Sequence, residues 1–300
     1  MLVTRRVFPL LLMFALSSIF VACDDFEGEQ TIPAYLAIDS ISVKINSGYE
    51  GSASHAITDA WVYIDDQLIG AFELPALFPV LYTGKHTVTI RPGIKMNGMV
   101  EFRTYYPFFS KIEQEVDFTP ELISHLKGTQ SGNKIVHFVS YNAGTKFAWA
   151  ENFEDLSITL DSTSKSTLFF ELTPTGSEST FEGLHSGRVI LDSDSAVFEV
   201  ATSEEMALPQ QGSPVMFELD YKNTNTFTVG IYAIMSDKVV QQPVLVLNPT
   251  NKWKKVYINL SPTVSSYTSA IKYKIFIGAT LDNGLANGEI LLDNLKLVHN

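Results

Sequence analysis

Apolar and polar residues alternate with a period of two along most of this chain, and no long segment carries the 3.6-residue period of an amphipathic helix. Ile41, Val43 and Ile45 alternate with polar neighbours, and Val88 and Ile90 are spaced by Thr89. Ile112, Val116 and Phe118 are interleaved with Glu113, Glu115 and Asp117, giving one apolar and one acidic face. Successive strand side chains point to opposite faces, so each run must bury one face against another layer. Turn signals separate the runs. Asp65-Asp66 lies between Trp61-Val62-Tyr63-Ile64 and Leu68-Ile69. Asn97-Gly98 matches the two-residue hairpin turn whose central positions both need positive φ. The fold class expected is therefore all-β, with an Ig-like antiparallel sandwich over residues 31–127.

Lys127 to Asn133 is polar and carries two glycines, so residues 128–145 are assigned as a linker and first-strand region. Further strand-like runs follow at 168–170, 188–191, 197–200, 215–219, 227–235, 244–247, 253–260, 273–277 and 290–298. That many short strands, with Pro, Gly and Asn between them, fits a jelly-roll β-sandwich over residues 146–300.

Hydrophobic residues make up 45% of the chain and aromatics 12%, enough to fill two cores. The formal net charge of −12 leaves no basic footprint for nucleic acid. Anionic headgroups would repel such a body, so residence on a membrane would have to come from a lipid. Arg5 and Arg6 precede the uncharged, mostly apolar run from Val7 to Ala22. The run is shorter than the ~20 residues of a membrane-spanning helix and matches the charged, apolar and small-residue parts of a secretory signal. The one cysteine of the chain, Cys23, stands at the end of it. Asp24, Asp25, Glu27 and Glu29 come next, an acidic tether over 23–30.

Phe20-Val21-Ala22-Cys23 resembles the lipobox of bacterial lipoproteins. The resemblance implies cleavage after residue 22 and lipidation of Cys23; an ordinary secretory signal with an incidental cysteine is the alternative. The acidic run resembles the surface-export signal of Bacteroidetes-type lipoproteins, which implies an outer-membrane, surface-exposed location. A solvated tether is the plainer account of the same residues. In the second half, Glu151-Asn152-Phe153-Glu154-Asp155, Phe181 to Gly187, Trp253 to Leu260 and Ile290 to Leu295 occur in an order that resembles carbohydrate-binding-module-like (galactose-binding-like) jelly rolls. That resemblance implies a structural Ca²⁺ held by Glu154 and Asp293, with Glu182 as a further candidate; a strand end capped by Asp293-Asn294 with a solvated Glu154 is the alternative. It also implies that Trp253 packs in the core.

The six histidines are scattered and fall in no metal-ligand spacing, and no nucleophile elbow, phosphate loop or dinucleotide fingerprint is present. The sequence therefore reads as a non-enzyme. Tyr267, in the polar turn Ser265–Ser269, is the candidate ligand-binding aromatic. Four aromatics within Tyr105-Tyr106-Pro107-Phe108-Phe109 cannot all point inward from one strand. They either form a partner-binding patch or are buried against a second sheet or the C-terminal domain. The function expected is glycan binding through the jelly roll. A structural role in an outer-membrane protein complex is the alternative.

Overall fold

The computed structural model describes residues 31–166 and 168–300. The expected signal peptide, Cys23 and the acidic tether over 23–30 lie outside the described residues. Among those described, no helix is long and apolar enough to cross a membrane.

The first half contains β1 (Ala34–Ile38), β2 (Ser40–Val43), β3 (Asp59–Ile64), β4 (Gln67–Glu73), β5 (Ala76–Val80), β6 (Gly84–Lys95), β7 (Arg103–Tyr105), β8 (Ile112–Phe118), β9 (Ile123–His125), β10 (Thr129–Ser131) and β11 (Lys134–Val139). A sheet in the order β4-β3-β6-β7, with β8 also on β6, packs on two three-stranded sheets, β5-β1-β9 and β10-β11-β2. Both turn signals take the backbone their residues favour, but only Asp65-Asp66 is a two-residue hairpin, since β6 and β7 close at Lys95–Arg103 across the longer loop 96–102. Asp65 and Asp66 both take positive φ between β3 and β4, and Asn97 and Gly98 both do so after β6. β1 and β2 are one extended run that changes sheet at Asp39, whose Oδ2 accepts the Ile135 N–H at 2.7 Å. The sandwich is not wholly antiparallel, because β9 lies parallel to β1 and β11 parallel to β2.

The stretch assigned as a linker is a hairpin of this first sandwich. β10 and β11 pair through a turn at Gly132-Asn133, and β11 continues onto β2. β10 is exposed at every position, so it needs no apolar residues and its sequence reads as loop. Val139 and Tyr141 already belong to the first core. The true crossover is the tight turn of residues 142–145, where Thr145 N–H donates to Asn142 O at 2.9 Å.

The second half contains β12 (Lys146–Glu151), β13 (Leu160–Ser162), β14 (Glu171–Leu172), β15 (Gly187–Asp192), β16 (Val197–Thr202), β17 (Val215–Asn223), β18 (Phe227–Ile234), β19 (Val239–Leu247), β20 (Thr250–Asn259), α1 (Ser261–Ser266), β21 (Lys272–Thr280) and β22 (Asn287–His299). One sheet runs β14-β15-β22-β17-β20, with β12 on the same side of β22 as β15, along the stretch Leu295–His299 that β15 leaves free; the facing sheet runs β13-β16-β21-β18-β19. This is the two-sheet architecture the strand spacing implies. Between them lies an apolar core including Phe217, Leu219, Ile231, Ile275, Ile277 and Leu297. A shift in register opposite Asn294, which takes φ 49°, lets β22 keep Leu292 and Leu295 in that core on either side of it.

The alternate positions of β17, β20 and β22 face the first sandwich. Met216, Tyr257 and Val298 join its core, so the two cores meet through one sheet. The aromatic cluster is buried in this seam: Tyr106, Phe108 and Phe109 are all inaccessible, and the Tyr106 ring lies 4.8 Å from Tyr257. The Asn97-Gly98 turn docks there too, with Asn97 N–H donating to Tyr257 O at 2.8 Å and Asn97 Oδ1 accepting from Asn259 N–H at 2.9 Å.

Candidate functional site

The sheet β13-β16-β21-β18-β19 turns its other face away from the core, and that face is curled. Gln241 on β19 donates from Nε2 to Glu199 Oε2 on β16 at 2.6 Å, although β18 and β21 lie between the two strands. On a flat sheet three strand spacings would separate those backbones by about 14 Å, beyond the reach of the two side chains and the bond. The edges therefore bend toward each other and this face is concave.

Glu199 is the hub of that face. Its Oε1 accepts from Tyr232 Oη at 2.6 Å and Thr163 Oγ1 at 2.7 Å, and its Oε2 also accepts from Lys165 Nζ at 3.2 Å. Burial alone would raise its pKa, but the bonds from Tyr232, Thr163, Gln241 and Lys165 outweigh it and hold the carboxyl below the ordinary range. A carboxylate kept ionised by four donors positions its neighbours and is a poor proton donor. Burial and the same bond push the Tyr232 phenol up, so it stays protonated.

Tyr232 pairs with Lys274 on β21, while Glu199 pairs with Gly278, four residues further along that strand. To meet, both side chains must lie along the sheet. Gly230 and Gly278 make room for this. A Cβ on Gly230 would sit 2.4 Å from the Phe276 ring, and a Cβ on Gly278 would sit 3.5 Å from Glu199 Cγ. The result is a partly exposed tyrosine ring beside a buried Phe276, 5.3 Å between centroids, rimmed by the half-exposed Lys165. Such a surface can stack an apolar ring face and offer hydrogen-bonding groups around it.

The residues singled out in the sequence lie elsewhere. Tyr267 follows α1 and packs against the second core, its hydroxyl donating to Gln242 Oε1 at 2.9 Å. It is half-buried and hydrogen-bonded, so it does not stand free as a platform. Glu154, Glu182 and Asp293 do line one cavity of about 340 Å³ on the opposite sheet, together with Asn152 and Asn294. Their oxygens, however, are engaged. Glu154 accepts the N–H groups of Leu184 and His185, and Asp293 accepts Ser186 Oγ at 2.6 Å and Asn294 N–H at 2.7 Å. Glu182 accepts Asn294 Nδ2 at 3.1 Å and the Ser52 hydroxyl. Burial pushes Asp293 up to about 7 against those bonds. Among the described residues no three acidic, histidine or cysteine side chains are grouped so as to hold one metal ion, and an ion that takes 6–8 oxygen ligands would have to displace these bonds.

Trp253 is also displaced from its expected place. It sits on β20 in the same parity as Lys255 and Tyr257, facing the first sandwich and outside the second core. The concave face itself was missed. Its signal was the glycine inside each of two apolar strands, TVGIYAI and KIFIGAT, which marks a close approach on one face.

No family model and no curated protein matches the sequence. Among solved structures, the chain is similar to the CBM22-2 xylan-binding domain from Paenibacillus barcinonensis Xyn10C, at 13% identity over 51% of this chain and 99% of that one, with a TM-score of 0.37. It is similar to the family 11 carbohydrate-binding module from Clostridium thermocellum, solved with a β-1,3-1,4-mixed-linked tetrasaccharide, at 14% identity over 52% and 96%, with a TM-score of 0.35. A carbohydrate-binding module of the β-sandwich superfamily is similar over 88% of this chain and 98% of its own, at 12% identity and a TM-score of 0.38. The all-β, two-sandwich assignment rests on the pairing described above.

Proposed function

We propose that this chain is a lipid-anchored, surface-exposed, non-catalytic protein that binds glycan on the concave face of its second sandwich. The observation that carries the proposal is the Tyr232 ring laid along a curled sheet and held there by Glu199, with Lys165 and Gln241 at its rim. Sugar rings present apolar CH faces and a border of hydroxyls, which is the complement of that surface. One aromatic and a few polar contacts correspond to a Kd on the order of 0.1–1 mM, about −4 to −5.5 kcal/mol, which many copies on one cell would reinforce. Calorimetry against plant, host and microbial polysaccharides tests this. Binding to at least one, lost in Tyr232→Ala, is expected; a blank panel, or binding indifferent to Tyr232, overturns it.

The anchor is proposed from Cys23 and the acidic residues Asp24, Asp25, Glu27 and Glu29. Cys23→Ser should move the protein from the membrane to the soluble fraction, and protease added to intact cells should digest the wild type. Retention of the variant in membranes, or full protection in intact cells, refutes the respective half of the proposal.

A second reading, docking onto an outer-membrane protein complex, is favoured by one feature. The outer face of β5-β1-β9 exposes Leu77, Pro79 and Ile123 side by side, with Leu81 and Leu122 at its edge. Co-purification of an outer-membrane protein, lost in Leu77→Glu, together with a blank glycan panel, would support this reading over the first.

A further inference from the structure

A second cavity, of about 630 Å³, opens between the two sandwiches on the opposite side of the second core from the concave face. Its volume lies in the range of roughly 300–1,000 Å³ typical of small-ligand sites. Trp253 and Phe181 form an aromatic pair in its wall, with ring centroids 5.1 Å apart and planes 46° from each other. The Trp253 indole Nε1 is buried and finds no acceptor among the described residues. An unsatisfied buried donor is costly and calls for an acceptor.

The charge of the wall is opposite to that of the molecule. The chain carries −12 overall, yet Lys95, Lys254 and Lys255 line this cavity against one carboxylate, Asp220. Lys255 is matched by Glu218 and Asp220, each at 3.5 Å. Lys95 lies 4.0 Å from Glu73, a distant partner that is itself largely exposed. Lys254 is exposed and makes no ion pair among the described residues. His55 adds no charge, because burial and the neighbouring Lys255 push its pKa down. What remains is Lys254, a cation without an ion pair among the described residues, at the rim of an aromatic wall with one unmet donor.

We propose that this cleft is a separate binding site for an acidic sugar. The carboxylate would meet Lys254 and Lys95, the ring CH face would pack on Trp253 and Phe181, and a sugar oxygen would accept the Trp253 N–H once the indole turns to expose it. The site is independent of the concave face, from which the second core and both sheets separate it.

The test is calorimetry on the full chain with trigalacturonic acid and, for comparison, the neutral β-1,4-galactotriose. Trigalacturonic acid should bind, and more weakly as salt is raised from 50 to 500 mM. Lys254→Gln should weaken binding about tenfold and Trp253→Ala should abolish it. Because Trp253→Ala alters packing, Lys254→Gln, at an exposed position, is the variant that decides. Equal binding of the neutral trisaccharide, binding unaffected by Lys254→Gln, or no binding of the acidic one overturns the proposal. Acidic-sugar binding that disappears in Tyr232→Ala and survives Trp253→Ala overturns it as well, while supporting the concave face.

Discussion

The Tyr106 hydroxyl donates to Glu218 Oε1 at 2.5 Å across the seam between the two sandwiches. Glu218 is fully buried and also accepts from Tyr141 Oη at 2.9 Å, with Lys255 Nζ 3.5 Å away. Burial and the charge of Glu218 push both phenols far above their ordinary range, so they remain donors at any physiological pH. A charge this deep is tolerated only while its partners are present. The seam is therefore a part of the fold that the rest depends on, and the two sandwiches should unfold together.

Truncating the hub tests this. Glu218→Ala strands Lys255 beside Asp220 alone and leaves two buried phenols without an acceptor, which should cost about 3–5 kcal/mol. Tyr106→Phe removes a single bond to a charged group and should cost about 1.5–3 kcal/mol. Both are read as shifts in the midpoint of urea unfolding, with one transition in the wild type. Separate transitions for the two halves, or losses under 1 kcal/mol, would contradict the argument.

Lys296 predicts a dependence on alkaline pH. Its ammonium is buried in the same seam and donates to Ser52 O at 2.6 Å, over the Tyr141 ring. Burial lowers its pKa to about 8, with Lys255 adding to the fall and Glu218, Asp220 and Glu182 opposing it. Between about 8 and the ordinary 10.5 the unfolded chain holds a proton that the folded one has released, so this group's contribution to stability rises with pH. The contribution is complete above 10.5 and disappears as pH falls through 8. Relative to Lys296→Met, the wild type should gain on the order of 3 kcal/mol from pH 8 to 10.5. The buried tyrosines titrate alike in both proteins and cancel. A flat difference curve would place the ammonium in water.

The carboxylates near Glu154 predict indifference to chelation. Asp293 serves Ser186 and the Asn294 N–H, so Asp293→Ala should lower stability by about 1–3 kcal/mol with or without metal. EDTA should leave the wild-type melting temperature unchanged. A fall on chelation that Asp293→Ala erases would restore calcium to this site.

Period and turn chemistry carried the architecture into the sequence. Asp65-Asp66 and Asn97-Gly98 took the positive φ that their residue types favour, and the alternation of β8 matches its buried and exposed positions. Polarity misled where a strand has nothing to bury, as in β10. The candidate site was harder to read for a different reason. Glu199 and Gln241 are 42 residues apart and meet only because a sheet curls, a property of the whole sheet that no local pattern encodes. Trp253 went astray because one sheet is buried on both faces, so facing away from its own core still leads into a seam. Tyr267 was chosen for its polar neighbours in sequence, whereas in space it packs against the second core and its hydroxyl is taken up by Gln242.

The curl itself can be tested at Gly230. Its backbone is not in the left-handed region, so alanine meets no conformational penalty there; the obstacle is steric. A Cβ would lie 2.4 Å from both the Gln242 carbonyl oxygen and the Phe276 ring, one on β19 and the other on β21. Backbone cannot retreat as a flexible side chain does, so the substitution must push β19 outward and lift Phe276. Gly230→Ala should therefore destabilise by about 1–3 kcal/mol. It should also stretch the contact from Gln241 to Glu199 that closes the concave face, weakening glycan binding without removing any atom of the site. Gly144→Ala, with nothing within 4 Å, should change neither quantity. Paired urea titrations and calorimetry on the two variants decide the matter. If Gly230→Ala binds and unfolds like the wild type, the face is open enough to take a methyl group and Gly230 does not shape it.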